Sequence, residues 1–225
     1  EIDNSNLHLC RELYRGEMEL DYHQGDLSNA MTDKQLIADI VTTWVDKADN
    51  RPTLCFCVDR AHAAAVQRQF EESGIPAGYV DANTPVDERE ALVEQLRRSE
   101  LSVICNIGTM TTGVDAPFVS CIILARPTKS EMLYIQIVGR GLRTDPESGK
   151  TDCLVLDHSS TALNLGRPDE IYYETFRTGK EAKAGEKNKK EKEEKKPKLC
   201  PHCKFVMLPK EKDCPSCGFV FPPPV

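Results

Sequence analysis

Between residues 34 and 47 the apolar side chains Leu36, Ile37, Ile40, Val41, Trp44 and Val45 recur at helical spacing, with Thr32 just upstream as a candidate N-cap; the pattern predicts a helix. The period then changes. Residues 53–58 (TLCFCV) form a short, almost wholly apolar run behind Pro52, the pattern of a strand covered on both faces. Asp59 and Arg60 end it, residues 61–73 read as a helix closed by Gly74, and 77–80 read as a second strand. Thr84, Pro85 and Asp87 supply a cap, a first-turn proline and an acid suited to a helix N-terminus, and so predict a helix through Ala91, Leu92 and Leu96. Further strands are read at 101–107, 121–125 and 152–156. Strands alternating with helices through short loops imply parallel pairing with helices on both faces, an α/β sandwich spanning residues 34 to 158. Residues 1–32 are weakly patterned, with one alternating piece at 7–13, and read as a connector.

One predicted helix carries more than packing information. In residues 134–144 (YIQIVGRGLRT), Gln136, Arg140 and Arg143 fall at i, i+4 and i+7 and share a face, while Leu133, Ile137 and Leu142 turn toward a core. Gly139 and Gly141 flank Arg140, and each costs a helix interior about 1 kcal/mol relative to alanine. A compensating contact is therefore expected. Two readings stay open on these residues alone: a surface helix end with basic side chains, or an arginine pair aimed at phosphate, with glycines admitting a backbone or a nucleotide at close range. The loop 106–117 (NIGTMTTGVDAP) follows the third strand at its C-terminal end, where open α/β sheets place ligands. It is rich in hydroxyls and glycines suited to phosphate oxygens, and on its own it reads equally well as a structural turn.

Composition narrows the picture. The net charge of −7 over 225 residues provides no general basic field, so nucleic-acid binding would be confined to a local groove. No run of about 18 apolar residues suggests a membrane span, no signal-peptide pattern stands at the beginning, and a first residue other than Met suggests a piece of a longer polypeptide. Of ten cysteines, Cys55, Cys57, Cys105, Cys121 and Cys153 lie in apolar runs, where cysteine behaves as a small buried hydrophobe; this points to a reducing cytoplasm. Residues 180–198 hold nine lysines and five glutamates and no large apolar side chain, so they read as a solvated linker. The division expected is a connector at 1–32, an α/β lobe at 33–178, the linker at 179–198 and a small module at 199–225. That module carries Cys200-Pro-His-Cys203 and Cys214-Pro-Ser-Cys217. Two C-x-x-C knuckles offer four thiolates to a tetrahedral Zn²⁺, and so short a module needs the metal to fold; two disulfides are the alternative. His202, between two ligands, is expected to be exposed.

The stretches TLCFCVD, NIGTMTTGVDAP and YIQIVGRGLR resemble motifs IV, V and VI of the second RecA-like lobe of superfamily 2 DEAD/DEAH-type helicases. The resemblance covers residues 34 to 158, and with the charged linker and the four-cysteine ribbon it extends to helicases of the RadD-like and type III restriction types. It implies a RecA-like, P-loop NTPase-like parallel sheet sandwiched by helices, with ATP and Mg²⁺ held between this lobe and a first lobe. It also implies roles. Arg143 matches the arginine finger and Arg140 its companion near the γ-phosphate; Gln136 and Gly139 match the rest of that motif. Gly113 and Asp115 match positions near the ribose and the lobe interface. Asp59, Arg60, Gly108, Thr109 and Thr111 become candidates for contacts to a nucleic-acid backbone, with DNA the expected partner and a protein partner possible for the ribbon. No G-x-x-x-x-G-K-[ST] loop and no D-E-x-[DH] box occur in the chain, so it lacks a phosphate cradle and an acid for Mg²⁺ and is not expected to hydrolyse ATP alone. The implied function is the C-terminal half of an ATP-dependent DNA helicase or translocase. A non-catalytic binding module and the motor part of a restriction enzyme are the alternatives.

Overall fold

A computed structural model describes residues 9–14, 17–111, 115–171 and 197–221. The chain divides into two compact units, Glu1–Thr161 and Ala162–Val225.

The first unit is built on five parallel strands: β3 (Thr53–Cys57), β4 (Ala77–Val80), β5 (Val103–Asn106), β6 (Cys121–Ala125) and β7 (Leu154–Asp157), in the order β4-β5-β3-β6-β7. β3 lies at the centre, with Cys55 opposite Cys105 on one side and Ile123 on the other. All five of its residues are buried, which is why its sequence shows no alternation. Its odd-numbered side chains, Cys55 and Cys57, join one core with Val103, Cys105, Cys121 and Ile123. Helices α1 (Gln24–Met31), α2 (Lys34–Lys47) and α3 (Arg60–Glu72) cover that face, contributing Leu27, Met31, Ile37, Ile40, Val41, Trp44, Val66 and Phe70. Trp44 meets Phe70 edge to face at 5.6 Å and donates its indole N–H to Thr53 Oγ1 at 2.7 Å. Helices α4 (Val86–Arg97) and α5 (Glu131–Gly141) take the other face: Leu92 lies beside Gly78 of β4, and Gly141 lies against Ile122 of β6.

Element ends differ from the sequence reading in informative ways. Asp33, not Thr32, caps α2, accepting from the N–H groups of Gln35 and Leu36; Thr32 instead ends α1. Thr84 does not cap α4. Its hydroxyl accepts from Asp81 N at 2.9 Å, and Pro85 takes the cap position without a side-chain bond. Leu142 is 60% exposed: still in the right-handed helical conformation, it stands about 140° around the helix from Ile137, opposite the buried side chains. Gly74 does close α3, at φ +78°, in the left-handed region that favours glycine.

Residues 1–32 hold more than a connector. β1 (Leu9–Tyr14) and β2 (Glu17–Tyr22) form an antiparallel hairpin, Leu9 opposite Tyr22. Tyr22, Leu27 and Met31 enter the main core. The alternating piece at 7–13 covers most of β1, whereas β2 alternates only three apolar side chains, Met18, Leu20 and Tyr22, with acids.

The second unit contains β8 (Lys198–Leu199) and β9 (Val206–Met207), an antiparallel pair around the cysteine knuckles. Cys200, Met207 and Cys214 are buried, with Cys203, Phe219 and Phe221 packed on them. Of the stretch read as a linker, 179–198, residues 179–196 lie outside the described residues and Lys198 belongs to β8.

Two outcomes follow from this packing, both readable through the fluorescence of Trp44, the only tryptophan. A Cβ on Gly141 would stand 2.3 Å from Cys153 Sγ and 2.7 Å from Ile122 Cγ1, whereas one on Gly139 meets nothing within 4 Å. Urea denaturation of Gly141→Ala should show a loss of about 1–3 kcal/mol, and Gly139→Ala a gain of up to about 1 kcal/mol; equal effects would refute the asymmetry. The second outcome concerns His62, fully buried, its Nδ1 accepting from Val58 N at 3.3 Å. Burial pushes its pKa from 6.5 down to about 4. The unfolded side chain therefore binds a proton that the folded one refuses, and stability, complete above pH 6.5, falls by about 3 kcal/mol as pH drops to 4. In His62→Leu, urea midpoints should lose that share of the slope; an unaltered slope would count against it.

Candidate functional site

Helix α5 is placed by its ends. Ser130 caps it, its Oγ accepting from Leu133 N at 3.1 Å. The preceding turn is held by buried Asp21 at the end of β2, which accepts from Thr128 Oγ1 and Lys129 N, both at 2.8 Å. Leu133, Tyr134, Ile137 and Val138 bury one side of the helix, and Gly141 brings its last turn onto β6 and Cys153.

This placement carries both arginines to the loop that follows β5. Arg140 donates through Nε, at 2.9 Å, and through Nη2 to the carbonyl of Thr111. Arg143, beyond the helix, places Nη1 3.1 Å from Asp115 Oδ1. The Asp115 side chain is 90% exposed and that of Arg143 40%, and such a surface ion pair is worth about 0–1 kcal/mol. A weak hold of that kind lets the guanidinium exchange one anion for another. Gln136 and Gly139, on the same helix, are half-buried. Gly113 lies outside the described residues, as do its two neighbours.

The other candidates gather where the parallel strands end. Asp59, Arg60, Ala61, Asp81, Ala82 and Ile107 line an open depression of about 440 Å³. Asp59, after β3, is engaged as the N-cap of α3, accepting from His62 N at 2.8 Å. Arg60 reaches Asp81 Oδ2 at 2.8 Å with its own side chain 62% exposed. Gly108, at φ +68°, opens a single 3₁₀ turn, Thr109–Thr111. The Thr111 hydroxyl closes that turn on the Gly108 carbonyl, and the Thr109 hydroxyl is buried with no partner among the described residues. The structure thus brings Asp59 and Arg60 to one depression at the C-terminal edge of the sheet, with Gly108 next to its lining residue Ile107. Arg140, Arg143 and Asp115 converge on the far end of the same loop. Asp81 and Ala82 were not singled out from sequence, although their place directly after β4 is the position from which such edges are built.

In the second unit the sulfurs of Cys200, Cys203, Cys214 and Cys217 all lie within 4.8 Å of one another, with 3.6 Å between Cys200 and Cys217 and between Cys203 and Cys214. Ligands about 2.3 Å from a tetrahedral ion stand about 3.8 Å apart, so the four sulfurs fit one metal. The backbone N–H of Phe205 points at Cys203 and that of Phe219 at Cys217, donors that favour the thiolate a metal needs. His202 is exposed and stands outside the set.

Comparison with known proteins agrees with this geometry. Residues 12–145 match the helicase conserved C-terminal domain, a stretch that takes in most of the hairpin and both arginines. The chain is 36% identical over 140 residues to the ATP-dependent helicase IRC3 of Saccharomyces cerevisiae, covering 61% of this chain and 20% of that protein. It is 37% identical over 159 residues to the mitochondrial ATP-dependent helicase irc3 of Schizosaccharomyces pombe, covering 66% and 26%. Among solved structures, a fragment of a type I restriction enzyme HsdR subunit from Vibrio vulnificus superposes with a TM-score of 0.52 at 27% identity, over 67% of this chain and 31% of that one. The chain spans from a fifth to about two fifths of the length of the curated relatives it matches. Domain match, parallel sheet and converging arginines together place it: the chain belongs to the helicase conserved C-terminal domain family, the second RecA-like lobe of superfamily 2 helicases.

Proposed function

We propose that this lobe supplies one wall of an ATP site in a DNA helicase or translocase, with Arg143 as the group that meets the γ-phosphate. The observation that carries the reading is the convergence of Arg140 and Arg143 on the loop after β5. Arg140 fixes the loop; Arg143 stays at the surface in a weak ion pair with Asp115, from which a nucleotide phosphate can take it. ATP and Mg²⁺ would supply the phosphoanhydride and the neutralising charge once a first lobe bearing a phosphate loop closes on this one. The chain's own residues then stabilise charge growing on the transferred phosphoryl group, a contribution worth roughly 10³ to 10⁵ in rate in related enzymes.

On this reading the depression at Asp59, Arg60, Asp81 and Ile107 and the turn at 108–111 face the nucleic-acid strand. Arg60 exchanges Asp81 for phosphate, while Asp59 keeps the helix capped. Closing and opening of the lobes would shift these backbone contacts along the strand. The likeness to a restriction-enzyme motor subunit favours DNA over RNA, and a restriction motor is the second reading, separated from a repair-type helicase by an accompanying nuclease domain. The four sulfurs hold one structural Zn²⁺, and the ribbon so formed serves as a docking module for a protein or for DNA.

In the longer polypeptide that includes the first lobe, Arg143→Ala should lower DNA-stimulated ATP hydrolysis by at least about 10³-fold with ATP binding retained; normal hydrolysis would remove Arg143 from the mechanism. Elemental analysis should find one zinc per chain, reduced in Cys217→Ser, and chelation should collapse the NMR dispersion of residues 198–221. A metal-free chain with full dispersion would refute the zinc assignment.

A further inference from the structure

We propose that Lys150 is a positioning residue for Arg143; the inference rests on the arginine-finger reading above. Helix α5 ends at Gly141 and is capped at Leu142, so Arg143 lies past the last residue whose backbone the helix fixes. Its carbonyl is held from elsewhere. Lys150 Nζ donates to the Arg143 carbonyl at 2.8 Å and to the Pro117 carbonyl, also at 2.8 Å. An ammonium has three donors arranged tetrahedrally on a flexible stem, so one lysine can join two carbonyls from separate segments.

The two carbonyls are not arbitrary. Pro117 follows Asp115 by two residues, and Asp115 is the partner of the Arg143 guanidinium. Arg143 is therefore tied to one loop twice, through its side chain to Asp115 and through its backbone, by way of Lys150, to Pro117. The side-chain tie is a surface ion pair and weak. The backbone tie is charge-assisted at both carbonyls, partly buried at Pro117 and exposed at Arg143, and partial burial pushes the Lys150 pKa down from its ordinary value. Gly149, at φ +71°, ends the turn at 146–149 that leads into Lys150. When Arg143 leaves Asp115 for a phosphate, Lys150 keeps the root of the side chain where it was. A misplacement on the order of 1 Å costs catalysis about 10²-fold, so the lysine should act on the chemical step and not on nucleotide affinity.

Two measurements test this. In the 225-residue chain, Lys150→Met should lower the backbone amide order parameters of residues 142–150 from about 0.85 to below about 0.6 while those of β6 stay unchanged. In the longer polypeptide with the first lobe, the same variant should lower kcat for ATP by between about ten- and a hundredfold with KM unchanged, and Lys150→Arg should recover most of the loss. Unchanged order parameters, or a loss of order throughout the sheet, would overturn the positioning role. Normal kcat in Lys150→Met beside an inactive Arg143→Ala would overturn it and leave the arginine reading standing. Full activity in Arg143→Ala would remove both.

Discussion

Helix α5 lies as close to the sheet as it does only because residue 141 has no side chain. A Cβ there would overlap Cys153 and Ile122, and relieving the overlap means lifting the last turn of the helix. That turn carries Arg140 and leads directly to Arg143, so the depth at which both guanidiniums meet the loop after β5 is set by this one contact. The glycine nearby behaves differently: a Cβ on Gly139 would meet nothing within 4 Å. Two glycines that look alike in the sequence thus differ: one is required by packing and the other is not.

Around that contact the holding strengths are graded. The core of α5 and the Asp21 network at its start are buried and satisfied, so the helix as a whole has one position. Arg140 is anchored to backbone, whereas Arg143 is held at its tip by an exposed carboxylate and at its root by a charge-assisted bond. A rigid base with a weakly held tip is what the proposed exchange of Asp115 for a phosphate requires. Rigidity comes from apolar burial, and release comes from solvent screening of the ion pair.

Cysteine shows how environment sets chemistry. Cys121 and Cys153 lie in the lobe, where burial pushes their thiols up to about 12 and about 11, and they act as packing atoms. In the ribbon the same residue type stands in two turns whose backbone N–H groups reach the sulfurs, and the four sulfurs lie within 4.8 Å of one another. Inert volume and metal ligand differ by what surrounds the sulfur, because a thiolate survives only where donors or a cation replace the water it has lost.

The sequence by itself determined the parallel α/β architecture, the span of α2, the strands β4 and β6 and the grouping of four cysteines, since each is written in local periodicity or fixed spacing: TLCFC is almost wholly apolar because both its faces are covered, and C-x-x-C fits a knuckle whatever surrounds it. It also brought Arg140, Arg143 and Asp115 forward as candidates through their motifs. Of the hairpin before Tyr22 only the alternation at 7–13 was legible, because β2 sets just three apolar side chains among acids. Nor were the partners of the arginines. Asp81 with Arg60, Lys150 with Arg143 and Asp21 with the start of α5 join residues from 7 to more than 100 positions apart, and no local pattern encodes such pairs. Only the folded sheet, by bringing the C-terminal ends of its strands to one edge, decided which charges meet, and only the packing of Gly141 decided how deep the arginines sit.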